Sequence, residues 1–129
     1  EFSPTQVAVF DTLYATSLRN DAPRTSPAPY DAQRDGLVVG EGAGTLVLEE
    51  YEHAKARGAK IFAEVAGFFQ NTDGTHVTNP NRDTMAACLA GALADAALSG
   101  DAIDYVNGHG TATKAGDIAE THATLYSRK

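Results

Sequence analysis

The first periodic stretch opens at Ser3. Ser3 as N-cap, Pro4 at the first helical position and Gln6 three residues on make a capping-box pattern, and Phe2 with Val7 fits a hydrophobic staple. Val7, Phe10, Leu13 and Tyr14 then share one helical face until the period fails near Ser17. Residues 20–29 are rich in Pro, Asp, Ser and Thr, which predicts a loop. Glycines at 36, 40, 42 and 44 followed by Thr45-Leu46-Val47-Leu48 predict two short strands in close backbone contact. A short helix from Glu50 to Arg57 stops at Gly58, and Ile61 to Phe69 carries apolar residues on both alternating faces, as a strand buried on both sides would.

The second half is more regular. From Arg82 to Leu98, Met85, Cys88, Leu89, Ala92, Leu93 and Ala96 repeat at helical spacing, with Ser99-Gly100 as the stop. Ile103 to Asn107 predicts a strand, Gly108 to Gly116 a Gly/Thr loop, and Asp117 to Tyr126 a helix with Ile118, His122, Leu125 and Tyr126 aligned. Helices interleaved with apolar strands favour an α/β architecture in which helices cover a sheet.

Composition narrows the function classes. With 129 residues, 43% hydrophobic and 21% charged, the chain suits one globular domain and neither a disordered tail nor a disulfide scaffold. A net charge of −7 opposes a grip on phosphate backbones, so no nucleic-acid partner is expected. The single cysteine fits a reducing compartment, and with no apolar run of membrane-spanning length and no signal-like start the expected location is cytoplasmic, without a membrane partner. The chain starts without Met, which suggests processing or truncation.

Candidate chemistry concentrates in Val106-Asn107-Gly108-His109-Gly110-Thr111-Ala112-Thr113, at the junction of a predicted strand and a helix, where open α/β sheets hold their ligands. Flanking glycines give His109 room for a substrate backbone or a thioester to approach, and a neutral imidazole there can donate to a developing oxyanion. A loop histidine that merely caps the next helix has the same spacing, and both readings stand. Asp117 and Glu120, three apart, fit an acid/base pair but fit an N-terminal capping pattern better. Gly40-Glu41-Gly42-Ala43-Gly44 leads into a strand and lacks a following Lys-Ser or Lys-Thr, so close backbone packing is expected there rather than a phosphate cradle. Cys88 lies on an apolar helix face and reads as a buried small hydrophobe. His53, His76 and His122 have no metal-ligand spacing and no Gly-x-Ser-x-Gly elbow exists, so neither a metal nor a serine hydrolase is expected.

Three segments together resemble the β-ketoacyl-acyl carrier protein synthases: Asp35 to Ile61 with its glycines and Glu49-Glu50, then Asp73 with His76-Val77-Thr78-Asn79-Pro80, then Asp104 to Thr113 followed by Gly116-Asp117 and Glu120-Thr121. The resemblance runs from Tyr30 onward, in the family's order. It implies a fragment of a thiolase-like fold with α-β-α-β-α layers, residues 1–72 ending one duplicated half and 73–129 starting the other. It also implies decarboxylative Claisen condensation of an acyl-enzyme with malonyl-acyl carrier protein in fatty acid synthesis. His109 matches the histidine that binds the malonyl thioester carbonyl, with Asp117 and Glu120 as the acidic residues supporting it. The usual partner of that Glu is a lysine. Thr111 and Thr113 match the threonines on the phosphopantetheine arm, and Thr78 lines the same tunnel. The implied partners are acyl carrier protein and further copies of the enzyme, with no resident cofactor.

The sequence departs from the family pattern at Gly108, Ala112 and Lys114, where Ala, Ser and Pro are common. No segment resembles the cysteine nucleophile elbow, the second-histidine segment or that lysine, so the chain is expected to be catalytically incomplete alone. A non-catalytic carrier-protein-binding or assembly module and a polyketide synthase ketosynthase fragment are the alternatives.

Overall fold

Three of the four helices end in the same way, and that ending sets their lengths. The computed structural model describes residues 2–127. Helix α1 (Pro4–Thr12) starts where Ser3 accepts the Gln6 amide. It closes with Ala15 N–H donating to Phe10 C=O and Tyr14 N–H to Asp11 C=O, the two bonds of a Schellman motif. That motif needs a left-handed residue, and Tyr14 supplies it at φ 53°. Tyr14 is therefore turned out, 95% exposed, and does not share the face of Val7, Phe10 and Leu13 as its spacing predicted.

Helix α2 (Tyr51–Ala56) is capped by the Glu50 carboxylate, which accepts from the Glu52 and His53 amides. It ends on Gly58, at φ 71°, with Ala59 N–H reaching Ala54 C=O. Helix α3 (Arg82–Asp95) begins at the Asn81 cap and ends three residues before the predicted Leu98. Ala97 takes the left-handed position at φ 53°, and Leu98 N–H closes on Leu93 C=O. Ser99-Gly100 is thus not the stop; it leads into a 3₁₀ turn over Gly100–Ala102. Helix α4 (Lys114–Ser127) starts three residues earlier than predicted, because the Thr113 hydroxyl, not Asp117, takes the capping bond from Gly116 N–H.

The predicted strands find no partner. Among the described residues the one β-interaction is an isolated parallel bridge between Thr16 and Leu37. Thr45–Leu48, Ile61–Phe69 and Ile103–Asn107 carry no ladder, since alternation fits a segment to a sheet but cannot provide the neighbouring strand. Ile61–Phe69 is not buried on both sides: Phe62 is 85% exposed and Val65 and Phe68 each 72%. One side of it lies on α3, where Phe68 N–H donates to Asp95 Oδ2 at 2.9 Å and the Phe69 ring sits over Gly91. Cys88 is correspondingly half-buried rather than buried, its thiol directed at Phe69 C=O. Nothing approaches Gly40, Gly42 or Gly44, so the close packing expected around them is absent. Helix α3 packs on α4, and Ala86, Ala119 and Ala123 are buried. Small side chains let the helices approach closely, and α4 in turn carries the candidate site on its first turns.

Candidate functional site

The loop Gly108–Thr113 is held from below by two carboxylates of α4. Asp117, 2% exposed, accepts from Ala112 N–H at 3.1 Å and from Tyr30 N–H at 2.7 Å, and pairs with Arg34 Nε at 3.1 Å. Arg34 also donates to the carbonyl oxygens of Thr113 and Lys114. Burying a charge this deeply is tolerable because both of its oxygens find donors and a guanidinium pairs with it. Asp117 therefore lies inside the first turn of α4 as a clamp between the loop and the 29–34 turn, and not at the N-cap.

Glu120 lies one turn further along the same face. Its carboxylate accepts from the main-chain N–H of His109, from Gly110 N–H at 2.9 Å and from the Tyr30 hydroxyl at 2.6 Å. Burial alone would push the carboxyl pKa up; the hydrogen bonds from Tyr30, Gly110 and His109 outweigh it, and the net direction is down. The Tyr30 phenol is pushed up to about 12, first by its bond to Glu120 and then by burial. At neutral pH the pair is a carboxylate accepting from an intact phenol.

Gly110 takes φ 54° beneath this anchor and Ala112 φ 61°. Ala112 is fully buried, so the turn is fixed by packing as well as by hydrogen bonds. The result is that His109 has its main chain tied down while its imidazole is exposed and held by no partner among the described residues. A rigidly mounted, free imidazole can donate to an incoming oxygen. Beside it, the Thr111 and Thr113 hydroxyls lie 2.9 Å apart, and a Cβ on Gly116 would press on both.

The structure thus brings together His109, Thr111, Thr113, Asp117 and Glu120. Thr78 belongs to a separate loop, pinned by Asp73 accepting from Thr75 N–H and Asn81 N–H, and its hydroxyl pairs with His76 Nδ1 at 3.0 Å. That loop and α4 border an open pocket of about 400 Å³ lined by Thr75, Asn79, Ile118 and His122, among others. Sequence reasoning missed Tyr30 and Arg34. Tyr30 lies 90 residues from Glu120, and no local pattern connects them.

The chain that builds this loop, buried clamp and helix belongs to the beta-ketoacyl synthase family. Residues 62–127 match the profile "Beta-ketoacyl synthase, C-terminal domain" and residues 1–54 the N-terminal domain. A 3-oxoacyl-[acyl-carrier-protein] synthase 2 of Vibrio cholerae serotype O1 is 52% identical over 92% of this chain and 29% of its own length. The crystal structure of a beta-ketoacyl synthase from Burkholderia phymatum STM815 superposes with a TM-score of 0.96 at 63% identity, covering 98% of this chain and 31% of that one. A type II PKS acyl-carrier protein in complex with its ketosynthase bound to the hexaketide gives 0.85 at 38% identity, over 95% and 31%. The chain spans about 30% of the length of these relatives, and its fold is that of the stretch where the N- and C-terminal synthase domains meet. Among the described residues no helix is long and apolar enough to cross a membrane.

Proposed function

We propose that the chain contributes the malonyl side of a 3-oxoacyl-acyl carrier protein synthase site. His109 donates a hydrogen bond to the thioester carbonyl oxygen of malonyl-acyl carrier protein. As the bond between Cα and the carboxylate breaks, carbon dioxide leaves and the electron pair passes into an enolate whose charge gathers on that oxygen. The enolate carbon then attacks an acyl thioester, forming the new carbon–carbon bond and releasing a thiolate. Thr111, Thr113 and Thr78 hold the phosphopantetheine arm, while Asp117 and Glu120 act through the loop they anchor. Acyl carrier protein is the partner, and the α-β-α-β-α layering with a boundary near residue 72 is the frame, completed by strands from beyond this chain or from a second copy.

The observation that carries this reading is the tied main chain and free ring of His109. The test is a graft of this segment into the Burkholderia phymatum synthase, which it superposes on nearly throughout. His109→Ala in the graft should lower condensation at least about a hundredfold, the scale for losing an oxyanion donor. Near-normal condensation would refute the role. The similarity to a ketosynthase seen with a hexaketide supports a second reading, a polyketide ketosynthase, which the same graft separates by the chain length of its products.

A further inference from the structure

Tyr30 reaches the site from the far end of the chain, and its position fits a space that Gly108 leaves. Its hydroxyl donates to Glu120 Oε2 at 2.6 Å. A Cβ built on Gly108 would overlap that hydroxyl oxygen, and would lie 3.3 Å from Tyr30 Cζ and from Glu120 Oε1. The ring also flanks Gly110, where an added Cβ would meet Tyr30 Cε2 at 3.4 Å. The main chain that carries the ring is itself held, with Tyr30 N–H donating to buried Asp117 and a left-handed φ of 64°.

We propose that Tyr30 is a positioning residue for His109, its hydroxyl and the vacant side-chain position of Gly108 forming a matched pair that sets the Glu120 carboxylate under the loop. Glu120 receives the main-chain N–H groups of both His109 and Gly110, so the carboxylate plane fixes where the imidazole emerges. The Tyr30 hydroxyl donates to Oε2, the oxygen that also takes the Gly110 N–H, and so adds a third hold on that plane. Any side chain at 108 larger than hydrogen displaces the hydroxyl, and with it the carboxylate. Removal of the hydroxyl by Tyr30→Phe leaves the 3.3 Å contacts with the ring and with Glu120 Oε1, which shifts of a few tenths of an ångström relieve. The two positions are therefore coupled: the penalty at 108 exists only while Tyr30 carries its hydroxyl.

Only the consequence for turnover rests on the proposed role of His109; the coupling itself is measured in the 129-residue chain. The His109 and Gly110 amide resonances are followed in the wild type, Tyr30→Phe, Gly108→Ala and the double variant. Gly108→Ala should move both amides strongly, Tyr30→Phe by less, and the double variant should lie with Tyr30→Phe. If Gly108→Ala unfolds the chain, refolding on addition of Tyr30→Phe is the same result. In the graft, Gly108→Ala should lower kcat about tenfold with KM little changed, and the double variant should fall no lower than Tyr30→Phe, on the scale of one hydrogen bond to a charged group. Unmoved amides in Gly108→Ala, summed effects in the double variant, or two unfolded 108 variants would overturn the pairing. Coupled amides in a graft indifferent to His109→Ala would leave the pairing standing and remove the catalytic reading instead.

Discussion

Tyr30 and Glu120 hold each other in opposite protonation states, and that makes the anchor sensitive to pH at both ends. Glu120 has a folded pKa below its usual 4.5, so the stability it contributes is present above 4.5 and is lost as pH falls through the lower folded value. Tyr30 is raised from 10.0 to about 12, so its contribution is complete below 10 and is lost as pH rises toward 12. Of the five tyrosines, one phenol is expected to ionise only near pH 12 in absorbance titration, and that step should vanish in Tyr30→Phe. Complete ionisation of all five near pH 10 would contradict the bond to Glu120. At this scale the sequence made His109 and its glycines legible, because loop composition and motif are local. Asp117 and Glu120 are legible as a helix start and, through the family resemblance, as acidic residues supporting the histidine; their partners Tyr30 and Arg34 arrive through tertiary folding.

The start of α1 is legible because Ser3 caps the Gln6 amide, whereas α4, capped by the Thr113 hydroxyl on Gly116 N–H, starts three residues before Asp117, where an acidic capping pattern is expected. The end of α2 is legible at Gly58, and α4 reaches Ser127, one residue past the expected Tyr126. The left-handed positions of α1 and α3 are filled by Tyr14 and Ala97, residue types that give no sign of a stop. Each pays a conformational penalty that glycine avoids, of about 1 kcal/mol. Ala97→Gly is therefore expected to stabilise the chain by up to about 1 kcal/mol in denaturant unfolding, while Gly58→Ala destabilises it by a similar amount. A destabilised Ala97→Gly would show that the α3 ending is set by contacts of the Ala97 methyl instead. The strands were read from alternation alone, and alternation is silent about partners, which is why Ile61–Phe69 was expected to be enclosed and is not.

Across the whole molecule the apolar surface is distributed unevenly. Leu46, Val47 and Leu48 are 76–87% exposed, Phe62 and Phe68 are exposed too, and no ladder joins their segments. Unpaired backbone beside apolar side chains favours association through those edges. Light scattering on the purified chain should give a mass above the 13.5 kDa of one copy, and a stable monomer at micromolar concentration would count against such pairing. The family was legible in the sequence because its motifs are contiguous, whereas layers of sheet depend on which strands pair, and periodicity does not specify that. The claim that matters most is that the anchored loop presents His109 to a malonyl thioester. It is tested most directly by carbon dioxide release from malonyl-acyl carrier protein in the graft, which isolates the decarboxylation step from acyl transfer. His109→Ala should cut that release at least about a hundredfold while the fold by circular dichroism is unchanged; release within about twofold of the unsubstituted graft would contradict the account.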